Sequence, residues 1–132
     1  MFTGPNTIAV VDDETSVGRA LARLLRVHGY AVDLFEEGWS LLRAHEARPY
    51  DCILLDLHMP GLNGFDVLEA LHARESSVPV IVITAHDEPG TEDRARALGA
   101  VAYLRKPVGC DSLLAAIKAA DDYQNHPADS EK

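Results

Sequence analysis

Cysteine is scarce in this chain, positive charge is thin, and no apolar run approaches the length of a membrane span. Only Cys52 and Cys110 occur, one inside a short apolar run and one near a helix start, which is no disulfide framework and points to a reducing compartment. Lys and Arg number 12 against 21 Asp and Glu, for a net charge of -9. The basic residues are scattered, which argues against a partner gripped through its phosphate backbone, so direct nucleic-acid binding is not expected. The stretch from Met1 to Thr7 has neither a basic region nor an apolar core, so no signal peptide or membrane span is expected and the chain reads as cytoplasmic. Internal repeats, linkers and low-complexity tracts are also missing. At 132 residues there is room for one domain with a proper core: residues 1–123 are expected to form it, and 124–132 to be a loose polar tail.

What is present is an alternation. Ile8-Ala9-Val10-Val11 is a strand-length apolar run that stops at Asp12-Asp13-Glu14. A helix pattern follows, with Val17, Leu21, Leu24, Leu25 and His28 on one side and Arg19, Arg23 and Arg26 on the other. Gly29 stands where a left-handed helix end is wanted. Tyr30 to Phe35 alternates and includes Asp33, which suits a sheet edge. A second helix, Gly38 to Glu46, ends before Pro49. The run from Cys52 to Leu55 ends on a single carboxylate, Asp56, and Pro60-Gly61 turns the chain into a helix from Gly64 to Arg74 carrying Phe65, Leu68 and Leu71. Val80 to Ile83 ends on Thr84. A weak helix, Thr91 to Leu98, has only Ala95, Ala97 and Leu98 as apolar anchors. Val101 to Leu104 ends at Arg105-Lys106-Pro107, and a last helix from Asp111 to Tyr123 packs Leu113, Leu114 and Ile117.

Strand and helix alternating five times, with mostly unbroken apolar strands, predicts an α/β fold: a (βα)5 doubly wound parallel sheet of the flavodoxin-like kind. The charged second strand wants an edge, which selects the order 2-1-3-4-5. Strands one and three are then neighbours at the switch point, and Asp12, Asp13 and Asp56 converge in one crevice. Such a cluster is costly unless a cation binds, and its oxygens suit a hard ion such as Mg2+. Asp13 and Asp56 are placed to bind directly, with a main-chain carbonyl just after Asp56, and Asp12 through water. Thr84 and Lys106, ending strands four and five, supply a hydroxyl and an ammonium for phosphoryl oxygens. A carboxylate nucleophile, a metal, a hydroxyl and a lysine fit formation of an aspartyl phosphate. Singly, each is more often structural: an Asp pair after a strand is more often a helix cap, a Thr at a strand end is usually structural, and a Lys-Pro dipeptide is common. Their joint placement carries the reading.

The acidic pair Asp12-Asp13, the stretch Leu55-Asp56-Leu57-His58-Met59-Pro60, Gly64, Thr84-Ala85, Tyr103 and Lys106-Pro107 resemble the response-regulator receiver domain of bacterial two-component signalling. The likeness runs from Ile8 to Ala120, and the wording from Gly99 to Pro107 is similar to receivers of the nitrogen-fixation regulator type. The resemblance implies a phosphorylation-dependent switch rather than an enzyme acting on a separate substrate. By it, Asp56 accepts a phosphoryl group from a histidine kinase or histidine phosphotransfer protein. Asp13, Asp56 and the main-chain carbonyl of His58 hold Mg2+, with Asp12 acting through water. Thr84 and Lys106 hold the phosphoryl oxygens, and Thr84 moves toward them while Tyr103 turns inward. The Lys106–Pro107 peptide is expected to be cis. His58 and His86, each two residues beyond a site residue, stand where receivers tune the lifetime of the phosphoryl group; solvent-facing histidines with no role explain them equally well. The weak helix Thr91–Leu98 is the expected mobile part, changing the surface of helix four, strand five and helix five. Too few residues follow helix five for an effector domain, so the expectation is a stand-alone receiver, or a fragment cut from a longer regulator, acting on a protein partner, with a second phosphorylated copy as a further candidate.

Three rivals are weaker. A phosphohydrolase with an Asp nucleophile usually carries an Asp-x-Asp pattern on strand one, and the adjacent Asp12-Asp13 does not match it. A flavin module needs a Ser/Thr/Gly-rich phosphate loop that is missing after strand one. A receiver that binds protein without phosphorylation would have no use for the complete acidic set, Thr84 and Lys106.

Overall fold

The computed structural model describes residues 7–59 and 61–125, and the side chains of 122–125 lie outside that description. Five strands alternate with five helices: β1 (Thr7–Val11), α1 (Thr15–Val27), β2 (Ala31–Phe35), α2 (Gly38–Ala47), β3 (Cys52–Asp56), α3 (Gly64–Ala73), β4 (Val80–Thr84), α4 (Thr91–Ala97), β5 (Ala100–Arg105) and α5 (Cys110–Asn125). The sheet is parallel in the order β2-β1-β3-β4-β5. The order follows from the strands themselves. β3 and β4 are buried along their whole length and must be central, while β2 exposes Ala31 and Asp33 and can only be an edge.

Because side chains alternate along a strand, the sheet makes two cores. Ala9, Val11, Ile53, Leu55 and Val82 meet α2, α3 and α4 on one face. Ile8, Val10, Leu54, Ile81 and Ile83 meet Leu25 of α1 and Leu113 and Ile117 of α5 on the other. Each fully buried Leu or Ile contributes on the order of 1.5–3 kcal/mol, so the central strands carry most of the stability. Where β4 meets β5 the register slips: Val80 opposes Ala100, but Ile81 opposes Ala102. This bulge at Val101 sets Tyr103 against Val82 and Arg105 against Thr84.

Several sequence expectations need adjusting. The buried residues of α1 are Gly18, Ala22 and Leu25, while His28 is exposed as the C-cap with its ring on the Leu24 carbonyl. Leu21 and Leu24 pack half-buried against the core beside Leu25, so the departure is confined to His28, which stands at the C-cap and turns out to solvent. In α4 only Ala95 is buried, and Ala97 faces solvent. α5 starts one residue before Asp111 and runs to Asn125, so Gln124 and Asn125 are helical; the rest of the expected tail, 126–132, lies outside the described residues. Gly29 has φ of 96°, the left-handed conformation expected at the end of α1.

Candidate functional site

Parallel strands leave their carboxyl ends on one edge of the sheet, and the switch point between β1 and β3 opens a crevice there. Asp12 follows β1 directly and is buried, with its Oδ1 accepting from the Glu14 amide at 2.9 Å. Asp56 ends β3, is also buried, and accepts from the His58 amide at 3.2 Å. Asp13 is exposed beside them, and one oxygen from each of the three carboxylates lies within 4.8 Å of the others.

Lys106 enters from the end of β5. Its Nζ is 2.9 Å from Asp12 Oδ2, 3.6 Å from Asp56 Oδ2 and 3.9 Å from Glu14 Oε1. Its backbone amide donates to the Thr84 carbonyl at 2.8 Å, which ties β5 to β4 at the crevice. The Lys106–Pro107 peptide is cis. Burial works against the ammonium, but the Asp12 hydrogen bond and the charges of Asp56, Asp12 and Glu14 outweigh it, leaving the Lys106 pKa raised. Asp56 fares worse. Burial, and then the Asp12 charge, push Asp56 up to about 6; the Lys106 ammonium and the His58 amide pull it back, and Asp13 adds a further push. One ammonium does not neutralise three clustered carboxylates, and the remaining deficit calls for a cation.

The donor set fits Mg2+. It offers only oxygens, several of them anionic, at the rim of solvent, as a hard ion that keeps part of its water shell requires.

Thr84 ends β4 fully buried, and its hydroxyl is engaged: Oγ1 accepts from the His86 amide at 3.0 Å and donates to the His86 carbonyl at 3.3 Å. Tyr103 is half-buried on β5 and donates to Asp87 at 2.8 Å. The side chains of His58 and His86 are exposed, and their rings meet edge to face with centroids 4.5 Å apart. The two histidines therefore belong to one feature at the mouth of the crevice. The structure thus brings Asp12, Asp13, Asp56, Lys106 and Glu14 together at the sheet edge.

Glu14 and Asp87 were not visible as site residues in the sequence, and Gly64 was marked only through the resemblance. Glu14 reads as a helix-start acid, and only the fold sets it near Lys106. Gly64 begins α3 against the end of β3: a Cβ there would lie 2.6 Å from both the Asp56 carbonyl oxygen and the Leu57 Cα. The close approach lets the Gly64 amide donate to the Leu57 carbonyl at 3.0 Å and holds the Asp56 backbone in place. The signal was Gly64 directly after Asn63, whose side chain makes a reciprocal capping box with Asp66. Asp87 sits in a polar loop with nothing local to mark it, although its carboxylate joins Tyr103 to Arg105.

Comparison with known proteins agrees with this geometry. The family described as response regulator receiver domain matches residues 8–118. The transcriptional regulatory protein FixJ of Bradyrhizobium diazoefficiens is 34% identical over 119 residues, covering 90% of this chain and 58% of that protein. The sensory transduction protein RegX3 of Mycolicibacterium smegmatis is 41% identical over 113 residues, covering 86% of this chain and 49% of that protein. This chain therefore spans about half the length of these curated relatives. Among solved structures, a CheY-like receiver domain protein from Methanospirillum hungatei superposes with a TM-score of 0.89 at 27% identity, covering 94% of this chain and 99% of that one. The response regulator StyR gives 0.85 at 32% identity, covering 98% and 65%. The chain belongs to the response-regulator receiver domain family. That family is a signalling domain of two-component systems, with an acidic pocket that binds Mg2+ and with histidine kinases or phosphotransfer proteins as partners. Among the described residues no helix is long and apolar enough to cross a membrane.

Proposed function

We propose that Asp56 is the phosphoacceptor of a phosphorylation-dependent switch. The observation that carries this reading is the convergence of Asp12, Asp13 and Asp56 with Lys106 at the carboxyl edge of the sheet. An oxygen of Asp56 attacks the phosphorus of a phosphohistidine on a histidine kinase or phosphotransfer protein. The phosphorus–nitrogen bond breaks, the ring nitrogen keeps the electron pair, and an acyl phosphate is left on Asp56. In water near neutral pH Asp56 must be ionised to attack, and the Lys106 ammonium, 3.6 Å away, favours that form. Asp13, Asp56 and the main-chain carbonyl of His58 would hold Mg2+, with Asp12 acting through water; bound there, the ion supplies charge neutralisation for the incoming phosphoryl group. Lys106 then meets one phosphoryl oxygen, and Thr84 donates its hydroxyl to another.

The partner approaches beside Lys106. An apolar groove of about 580 Å3 opens there between α1 and the loop after β5, lined by Ser16, Val17, Ala20, Leu21, Pro107 and Val108. It suits an amphipathic segment that presents a histidine. His58 and His86, touching at the mouth, are placed to limit the approach of water to the acyl phosphate and so set its lifetime. The output surface is α4, β5 and α5. α4 is short and buries only Ala95, so rearranging it costs little. The target is a protein, with a second phosphorylated copy among the candidates, and the setting is the cytoplasm of a bacterium.

Reductive trapping tests the assignment. After incubation with a phosphodonor and Mg2+, borohydride converts an aspartyl phosphate to homoserine, and peptide mass spectrometry should place the change at residue 56. Conversion at Asp12 or Asp13 instead would contradict it.

A further inference from the structure

The loop that leaves β4 is tied down at two successive residues. Thr84 Oγ1 holds His86 through both its amide and its carbonyl. One residue on, the Asp87 carboxylate accepts from the Tyr103 hydroxyl at 2.8 Å on one oxygen and from Arg105 Nε on the other. Both donors stand on β5, registered against Val82 and Thr84. A carboxylate with a donor on each oxygen, one of them cationic, is the stronger kind of hydrogen-bonded pairing. The pairing lies at the surface, with the Asp87 side chain 29% exposed against 69% for Arg105. The Tyr103 hydrogen bond, and after it Arg105, hold the Asp87 carboxyl below its ordinary range. Burial, and then the bond to and charge of Asp87, push the Tyr103 phenol up to about 12.

A threonine hydroxyl has one proton to donate. In this structure it goes to the His86 carbonyl, so Thr84 can donate to a phosphoryl oxygen only by releasing that carbonyl. The released backbone leads directly into Asp87, whose grip on Tyr103 and Arg105 opposes the movement. Building on the assignment of Asp56 above, we propose that Asp87 is a positioning residue for the switch: it clamps the β4–α4 loop to β5 in the resting arrangement and is let go when Thr84 turns to the phosphoryl group. By linkage, a clamp that phosphoryl binding must open is one whose removal strengthens phosphoryl binding by the same factor.

The experiment uses beryllofluoride, an analogue of the phosphoryl group, at saturating Mg2+. Its affinity is measured for the wild type, Asp87→Ala and Arg105→Ala, alongside fluorine NMR of protein carrying 3-fluorotyrosine, with the Tyr103 resonance assigned by Tyr103→Phe. Asp87→Ala is expected to bind the analogue about threefold to tenfold more tightly. Its Tyr103 resonance, without analogue, should shift from the wild-type free position toward the bound one. Arg105→Ala, which leaves the tyrosine's acceptor in place, should move both readouts the same way by less, and it decides the matter if Asp87→Ala fails to fold. Unchanged or weaker binding in a folded variant overturns the clamp, even where the resonance moves. A wild type that binds no more analogue than Asp56→Asn overturns the assignment of Asp56 and the clamp with it; a wild type that binds, with variants that match it, overturns the clamp alone.

Discussion

Asp56 is held in an environment that disfavours its charge, and this has a thermodynamic sign. Its folded-state value of about 6 lies above the ordinary 3.8, so between these limits the folded chain binds more protons than the unfolded one. Its contribution is fully favourable below pH about 4 and is lost as the pH rises through about 6. In chelator, Asp56→Asn should therefore melt a few degrees above the wild type at pH 7.5, on the order of 2–6 °C, and the gap should narrow at pH 5. Melting curves read by circular dichroism check this; an equal or lower value at pH 7.5 counts against the crowded-carboxylate account. His45 has the opposite sign. Its Nδ1 accepts from the Tyr50 amide at 3.1 Å, which fixes the neutral form with Nε2 facing Ser76 Oγ at 3.3 Å. Burial, with Arg74 adding to it, lowers its pKa below the ordinary 6.5, so its contribution is present above pH 6.5 and lost as pH falls below it. Stability between pH 7 and 5.5 should fall less steeply in His45→Gln than in the wild type, as denaturant titrations would show. Gly64→Ala would drive a methyl group into backbone at 2.6 Å, costing about 1–3 kcal/mol, and should slow phosphorylation through the displaced Asp56 carbonyl. Phosphorylation at the wild-type rate would show that the end of β3 is less constrained than the packing implies.

Among the elements, α3 and α4 stand at opposite extremes. α3 has a complete capping box and buries Val67, Leu68 and Leu71, whereas α4 starts from Gly90 with no side-chain cap and buries Ala95 alone. Asn63→Ala should cost about 1 kcal/mol, measured by urea denaturation. Amides of α4 should exchange with deuterium far faster than those of α3, and should show the larger chemical-shift changes when beryllofluoride binds. Equal protection of the two helices, or an α4 unmoved by the analogue, would remove α4 from the output surface. The α4 contrast was legible beforehand, because a helix whose only apolar residues are Ala95, Ala97 and Leu98 cannot be deeply anchored. The Val80–Thr84 and Cys52–Asp56 strands were equally legible, since unbroken apolar runs of strand length leave little choice. The exposure of His28 was not. Helical periodicity groups His28 with the apolar side, but it stands at the C-cap, where its ring turns back onto the Leu24 carbonyl.

Strand order at the level of the whole molecule followed from one charged strand, β2, and the right-handed crossover rule, and it brought Asp12, Asp13, Asp56, Thr84 and Lys106 to one edge before any contact was known. What stayed hidden were pairings across long sequence separations with no pattern of their own: Tyr50 with Asp33, Asp87 with Tyr103 and Arg105, His58 with His86. Periodicity and strand ends place backbone; only the folded chain places these side chains. A net charge of -9 with three carboxylates in one crevice also predicts that Mg2+ raises the melting temperature by mass action, and that the rise is smaller in Asp56→Asn. The most direct test of the central claim is the intact mass of the protein after incubation with acetyl phosphate and Mg2+, wild type beside Asp56→Asn. The account predicts a single phosphoryl adduct on the wild type, none on the variant, and none on the wild type when a chelator is present from the start. An adduct of equal yield on Asp56→Asn, or no uptake of phosphoryl group or beryllofluoride by the wild type, would contradict it.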